Sequence, residues 1–190
     1  IDEEALFYHF RYLCVPAPIS IISGTKKLPS GSILTFKNAR MNIATYWDLE
    51  KVSAHARQAA SPISLSEATQ ELETKLTHSI QQHMQSDVPY GAFLSGGIDS
   101  SLIVALMQQV SNQPVKTFSI GFAEESHDES DAARNVATHL GTDHHEMILG
   151  AEDMIGLVPT VMDMFDEPFA DNSSIPTYLV SKFAREKVTV

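Results

Sequence analysis

Seven consecutive residues, Ser95-Gly-Gly-Ile-Asp-Ser-Ser101, have the types and the spacing of a loop that binds a phosphate group. Gly96 and Gly97 lack a Cβ, so their amides can approach an anion closely and their backbone can adopt a positive φ. The serine hydroxyls add hydrogen-bond donors, and Asp99 offers a carboxylate suited to Mg²⁺. A Walker loop would carry a lysine, but no lysine occurs between residues 75 and 116. The stretch therefore predicts a phosphate site unlike that of γ-phosphoryl transfer.

This loop resembles the PP-loop of the ATP pyrophosphatases, enzymes that cleave ATP between its α and β phosphates. A plainer alternative stays open, in which the glycines and serines serve only as turn and cap residues before a helix. Further segments in collinear order make the chain similar to glutamine-dependent asparagine synthetases, especially the bacterial members. These segments are Tyr12-Leu-Cys-Val-Pro-Ala-Pro18, Lys27-Leu-Pro-Ser-Gly31, Tyr46-Trp-Asp48, Phe93-Leu94, Lys116-Thr-Phe-Ser-Ile-Gly-Phe122, Leu140-Gly-Thr-Asp-His-His-Glu146, Asp166-Glu-Pro-Phe-Ala-Asp171 and Ile175-Pro-Thr-Tyr-Leu179.

The resemblance implies a nucleotide site around the loop. The ATP-binding residues that it implies are Phe93, Leu94, Ser95, Gly96, Gly97, Asp99, Ser100, Ser101, Ile120 and Gly121. The glycines and serines would bind pyrophosphate, Asp99 would bind Mg²⁺, and Phe93, Leu94 and Ile120 would contact the adenosine. Ile120 fits an ordinary strand end equally well. Asp128 is a candidate metal or ribose ligand, although the acidic run around it is also typical of a solvated loop.

The activity that the resemblance implies is ATP-dependent amide formation, with ATP and Mg²⁺ as cofactors. In this family the side-chain carboxylate of aspartate is activated as an acyl-adenylate, and glutamine-derived ammonia then gives asparagine, AMP and pyrophosphate. Two alternatives remain open. One is another PP-loop ligase, such as a β-lactam synthetase-like enzyme or an exopolysaccharide-associated amidotransferase. The other is an ATP-binding module without catalysis.

Parts of the family's pattern are absent from this chain. The family begins with a glutaminase domain whose amino-terminal cysteine is the nucleophile, whereas residue 1 is Ile and the only cysteine is Cys14. The run Val188-Thr-Val190 is typical of the start of a strand, which the resemblance places beside strand 90–94. We therefore expect an internal part of a larger enzyme, inactive by itself, with the glutaminase domain in the same full-length polypeptide. The resemblance is also compatible with a homodimer.

The composition narrows the class of protein. Lys and Arg total 13 against 24 Asp and Glu, which gives a formal charge of −11 over 190 residues. This balance argues against a nucleic-acid partner, because nonspecific nucleic-acid binding depends on basic patches. One cysteine excludes an internal disulfide framework, and no signal peptide or long apolar run is visible. We expect a cytoplasmic protein that does not interact with membranes.

The first third of the chain predicts a small mixed segment. Residues 2–13 have the pattern of a short helix. Short strands are expected at 19–22, 32–37 and 43–47, separated by turn residues. Residues 50–62 have the composition of a linker or mobile loop. We assign residues 1–61 to an interdomain segment that comprises the end of the glutaminase domain and a linker.

From residue 62 onwards the pattern predicts an α/β domain, the amino-terminal half of the synthetase domain. A long helix is marked by a capping box, Ser64 with Glu67, and by an apolar stripe at Leu65, Leu72, Leu76, Ile80 and Met84. Strands at 90–94, 115–121 and 144–149 then alternate with helices at 100–110, 129–140 and 152–165. Gly141 follows the second of these helices, at the position of a left-handed C-cap with a positive φ. This alternation favours a parallel sheet with helices on both faces, as in the PP-loop ATP pyrophosphatases and adenine nucleotide alpha hydrolases.

Two clusters of polar residues do not predict a metal site. His144 and His145 are adjacent on a predicted strand, so their side chains point to opposite faces and cannot easily share zinc. Asp166, Glu167 and Asp171 flank a proline in a turn that the resemblance places at the rim of the synthetase cleft. No role follows for the individual carboxylates.

Overall fold

The computed structural model describes residues 1–59, 61–123 and 130–190, and the chain divides into two compact units. Unit 1 comprises Ile1–Pro62 together with Met162–Asn172. Unit 2 comprises Ile63–Val161 and Ser173–Val190. Residues 162–172 therefore fold with the amino-terminal segment, although they interrupt unit 2 in the sequence.

Unit 1 contains a helix followed by a β-hairpin. Helix α1 (Glu3–Tyr12) begins where the Asp2 carboxylate accepts a hydrogen bond from the amide of Ala5 at 3.0 Å. Strands β1 (Ser32–Lys37) and β2 (Arg40–Thr45) pair in antiparallel orientation through a two-residue turn with φ values of 51° and 58°. Two positive φ values are typical of the turn that matches strand twist. The helix and the strand at 32–37 confirm the prediction, and β2 begins three residues earlier than the 43–47 expected.

Two predictions for unit 1 are wrong. Residues 19–22 form no strand and instead lie in irregular and bent backbone. Residues 50–62 are not simply a loop, because helix α2 (Leu49–Ala59) covers most of them. Its alanines and glutamine favour helix, and Asp48 caps it by accepting a hydrogen bond from the amide of Lys51 at 3.1 Å. Composition alone favours a linker here, because it does not include the cap that Asp48 provides.

Unit 2 is built around a parallel three-stranded sheet. Helix α3 (Leu65–His83) is followed by β3 (Gly91–Phe93), α4 (Ile98–Val110), β4 (Lys116–Phe122), α5 (Ser130–Leu140) and β5 (Asp143–Leu149). The strand order is β3-β4-β5, with Phe93 opposite Phe118 and Phe118 opposite His145. The chain then forms α6 (Ala151–Ile155), α7 (Val158–Met162) and α8 (Ser174–Ala184).

Helices cover both faces of this sheet, which confirms the predicted fold class. On one face α4 and α5 pack against β3 in the cluster Leu94, Val104, Ala133 and Ala137. On the other face α8 packs against β4 in the cluster Phe118, Ala184 and Val188. A third cluster, Ile80, Leu106, Met107 and Val115, holds α3 against α4. The carboxyl ends of β3 and β4 therefore lie side by side between two helical layers.

The structure confirms some of the local features predicted for unit 2 and not others. The capping box of Ser64 and Glu67 is formed, and Gly141 has the predicted positive φ, +69°. Only the second half of the α3 stripe packs, since Leu65 and Leu72 are exposed. The single helix expected at 152–165 is wrong: it is broken between α6 and α7, because glycine and proline at 156 and 159 disfavour a continuous helix.

The chain's last residues lie beside β3, as the resemblance implies. The amide of Thr189 donates a hydrogen bond to the carbonyl of Pro89 at 2.8 Å, and the amide of Gly91 donates to the carbonyl of Val190 at 2.9 Å. These bonds form on the edge of β3 that faces away from β4. No helix in the described part of the chain is both long and apolar enough to cross a membrane.

Candidate phosphate site

The seven-residue loop connects β3 to α4. The strand enters it through Leu94, which is buried and whose amide donates a hydrogen bond to the carbonyl of Phe118 at 2.8 Å. Helix α4 begins at Ile98, two residues before the position expected from sequence. The loop proper is therefore only Ser95, Gly96 and Gly97, and Asp99 lies in the first turn of the helix. This is the strand–loop–helix arrangement that a phosphate site requires.

Gly96 cannot be replaced by a larger residue without moving the backbone. Its φ is +76°, and a Cβ at this position would lie 2.7 Å from the backbone carbon and from the Cβ of Ala132, and 2.7 Å from the nitrogen of Ala133. The loop therefore rests directly on the backbone of the first turn of α5. Gly97 has an ordinary φ of −70° and is the N-cap of α4, where it provides no side-chain cap.

Several amides at the start of α4 are available to an acceptor. Within the described chain, the amide groups of Gly96, Ile98 and Asp99 have no hydrogen-bond acceptor. Ile98 and Asp99 are exposed and Gly96 is half-buried, so this part of the chain lies at the surface of unit 2. A helix amino terminus carries partial positive charge, and its unpaired amides bind anions. This end of the 13-residue α4 can therefore bind a phosphate group through its backbone.

Two of the three serine hydroxyls in residues 95–101 form a hydrogen bond with each other. Ser95 Oγ and Ser100 Oγ lie 2.9 Å apart. Ser95 Oγ accepts from the amide of Gly97 at 3.3 Å, and Ser100 Oγ donates to the carbonyl of Gly97 at 3.2 Å. Both hydroxyls would therefore need to rotate in order to donate to an anion. Ser101 Oγ is buried and has no partner in the described chain, so it does not join this pair.

The residues expected near the adenosine lie on β3 and β4. Phe93 is exposed at the end of β3, and Ile120 is half-buried near the end of β4. Gly121 is buried on the opposite face of β4 from Ile120. Because the Leu94 side chain lies in the core with Val104, only its backbone could contact a nucleotide.

Asp99 and Asp128 are the two carboxylates that the sequence suggests as metal ligands. Asp99 is exposed in the first turn of α4. Asp128 lies outside the described residues. The described residues contain no group of three or more His, Cys, Asp and Glu that could hold a metal. Mg²⁺ in nucleotide sites is commonly bound by one or two carboxylates and the phosphates themselves, so a single carboxylate at Asp99 is compatible with it.

A polar network that the sequence analysis did not single out lies between α5 and the sheet. Arg134 of α5 binds Glu146 of β5 with Nη2 2.8 Å from Oε1 and Nε 3.1 Å from Oε2. His144 lies on the same face of β5 and contacts the buried hydroxyls of Thr117 at 2.9 Å and Ser119 at 3.2 Å. Burial lowers the pKa of His144 below its ordinary value of 6.5.

The opposite face of β5 carries His145, so the prediction that the two imidazoles diverge is confirmed. The His145 ring stacks on Phe118 with their centroids 5.4 Å apart. In unit 1, Glu167 forms an ion pair with Lys27, which also donates to the carbonyl of Val15. One carboxylate left without a role by the sequence therefore anchors residues 162–172 within unit 1.

Comparison with known proteins agrees with these motifs. Residues 71–190 match the family model described as asparagine synthase. Glutamine-hydrolyzing asparagine synthetase 1 of Bacillus subtilis is 34% identical over 193 residues, which cover 100% of this chain and 29% of that protein. Glutamine-hydrolyzing asparagine synthetase of Gallus gallus is 28% identical over 167 residues, which cover 84% of this chain and 29% of that protein. The chain thus spans under a third of the length of these relatives.

Among solved structures, the NH3-dependent NAD synthetase of Campylobacter jejuni aligns with a TM-score of 0.43 at 16% identity, covering 62% of this chain and 52% of that one. The family assignment does not depend on this distant likeness. The matched residues 71–190 make up more than half of the chain and include the whole phosphate loop. This chain belongs to the asparagine synthase family.

Proposed function

We propose that unit 2 forms the ATP-binding part of a ligase that amidates a carboxylate, with aspartate as substrate and asparagine as product. The observation that carries the proposal is the loop after β3. It combines a positive φ at Gly96 with amides at the start of α4 that have no acceptor among the described residues, inside the region that matches the family. Such a loop binds the pyrophosphate part of ATP through backbone amides rather than through a lysine.

The chemistry would proceed in two steps. An oxygen of the aspartate β-carboxylate attacks the α phosphorus of ATP, and the bond from that phosphorus to the bridging oxygen breaks, so pyrophosphate leaves. Ammonia then attacks the acyl carbon of the adenylate, loses a proton and expels AMP. The amides of Gly96, Ile98 and Asp99 would stabilise the negative charge that develops on the leaving pyrophosphate. Mg²⁺ bound by Asp99 and the phosphates would add positive charge at the same place.

The remaining assignments follow the family resemblance. Phe93, the Leu94 backbone, Ile120 and Gly121 would contact the adenosine. Ser95, Gly97 and Ser100 would complete the pyrophosphate site. Ser101 would need to turn its hydroxyl, which is buried and has no partner in the described chain, toward the anion, because its amide already donates to the carbonyl of Gly97 at 3.0 Å. Residues 1–61 would connect this domain to the glutaminase domain of a full-length cytoplasmic enzyme, which would supply ammonia.

The test uses the full-length polypeptide and measures aspartate-dependent exchange between ATP and pyrophosphate. Asp99→Asn should reduce exchange by about a hundredfold or more, because charge stabilisation of the leaving group is lost. Glutamine hydrolysis should persist, since it needs a separate site. Asp87→Asn is the matched control: Asp87 is exposed in the turn before β3, at the other end of that strand.

The outcomes separate the alternatives. Exchange that needs a carboxylate other than aspartate would identify another PP-loop ligase. ATP binding without any exchange would identify a non-catalytic module. Undiminished exchange in Asp99→Asn would rule out the metal-binding role of this carboxylate.

A further inference from the structure

The position of the phosphate loop depends on helix α5. Gly96 is packed so closely against Ala132 and Ala133 that even a methyl group would not fit between them. Any shift of the first turn of α5 therefore either presses on the loop or leaves it unsupported. Protein interiors transmit such shifts because they are close-packed.

The fully buried side chains of α5 are small. They are Ser130, Ala133 and Ala137, while the larger Val136 and Leu140 are only partly buried against the same cluster. Apolar contacts are non-directional. A directional bond therefore adds a constraint on the position of the helix along the strands.

Arg134 supplies such a bond. It follows Ala133 directly, and its guanidinium forms a bidentate pair with Glu146 at 2.8 Å and 3.1 Å. The Glu146 side chain is only 16% exposed, so this carboxylate depends on Arg134 for its charge compensation. The third nitrogen of Arg134 donates to Asp131 at 2.6 Å. All three nitrogens thus donate to carboxylates, which compensate the charge of Arg134.

Glu146 in turn lies on a well-fixed part of the sheet. It is opposite Ser119 of β4, two residues before Gly121. Ser119 is buried and bonded to His144, on the same face of β5 as Glu146. The contact path therefore leads from β4 and β5 through Arg134 to the backbone beneath Gly96.

Resting on the proposed function, we infer that Arg134 is a positioning residue of the phosphate loop. Its ion pair with Glu146 fixes the first turn of α5, and the backbone of that turn determines the position and orientation of the Gly96 backbone. It acts on ATP only through the loop. A planar guanidinium is required, because a lysine ammonium cannot make the bidentate pair.

The test compares Arg134→Lys with wild type in the full-length polypeptide. The KM for ATP in the exchange reaction should rise about tenfold, and kcat/KM should fall by about ten- to a hundredfold, since small displacements at a reacting centre are costly. Inhibition by free pyrophosphate should weaken to a similar extent. The KM for aspartate and the rate of glutamine hydrolysis should stay within about twofold of wild type.

A second variant and a control complete the design. Glu146→Gln should reproduce the ATP phenotype, and the double variant should be no worse than either single one, because both act through one contact. Lys75→Met removes an exposed ion pair on α3 and should leave ATP kinetics unchanged. Lower thermal stability with unchanged ATP parameters in both test variants would overturn the inference. Absence of exchange in wild type would instead refute the proposed function.

Discussion

Replacing Gly96 by alanine tests the geometry of the phosphate loop most directly. At a φ of +76° an L residue adopts the left-handed conformation, which costs about 1–2 kcal/mol. The added Cβ would also lie 2.7 Å from the backbone of Ala132, whereas ordinary contact begins at 3.4 Å. The loop and α5 must therefore separate by about 0.7 Å, and the neighbour cannot yield by a rotamer change because it is backbone.

The displacement predicts a large kinetic effect. A shift of about 1 Å can cost on the order of a hundredfold in rate, so ATP–pyrophosphate exchange in Gly96→Ala should fall by roughly that factor. The free energy of unfolding should fall by at least the cost of the left-handed conformation at residue 96, about 1–2 kcal/mol. Exchange is measured in the full-length polypeptide well below its melting temperature, and stability by denaturant unfolding.

Gly141→Ala provides the matched control. Gly141 has a φ of +69°, so alanine meets a similar conformational cost, but a Cβ there would have no described atom within 4 Å. This variant should lose stability and keep its exchange activity. Equal exchange activity in the two variants would refute the argument that close packing of Gly96 on α5 shapes the site.

Two further predictions concern stability. Lys27→Met should lower the free energy of unfolding by about 1–3 kcal/mol, because it leaves the half-buried Glu167 carboxylate without its cation. Lys75→Met at an exposed pair should cause no measurable loss, and equal losses in denaturant titrations would contradict this. Because burial lowers the pKa of His144, the unfolded chain binds a proton more readily, so stability should be complete above pH 6.5 and should decrease as the pH falls below it. Thermal melts from pH 8 to pH 5.5 should show this loss in wild type and much less of it in His144→Gln, and equal slopes would contradict it.

Local signals predicted the parts of unit 2 that depend on a few neighbouring residues. The capping box of Ser64 with Glu67 and the positive φ of Gly141 each depend on residues close in sequence, and both are present. The alternation of strands and helices is also local, because each element carries its own apolar periodicity. The strand–loop–helix setting of Gly96 followed from that alternation.

Long-range contacts escaped the sequence analysis because nothing local encodes them. Arg134 and Glu146 read as ordinary charged residues of a helix and a strand, and only the fold brings them together. The same holds for Lys27 and Glu167, which lie far apart in sequence. The contact of Gly96 with α5 could not be predicted in the same way. A pair of glycines indicates conformational freedom of the backbone, but it does not indicate which neighbouring element leaves no space for a Cβ. Helix α2 differs, because its cap at Asp48 is a local signal that the composition of residues 50–62 does not contain.

The charge balance around the loop explains how an acidic chain can bind a polyanion. The chain carries a formal charge of −11 and has no lysine between residues 75 and 116. Arg134 follows the first turn of α5, on which Gly96 packs, and its positive charge is compensated by Glu146 and Asp131. In the proposed phosphate site, attraction for the anion would therefore come mainly from amide dipoles at the start of α4 and from a metal ion bound with the nucleotide. Amides act only at short range and in fixed directions, so the position of the backbone matters more here than side-chain charge. If the proposed function and the inferred role of Arg134 hold, the site should depend most on Gly96, Ala132 and Arg134, which act through the position of the backbone and not through charge offered to the ligand.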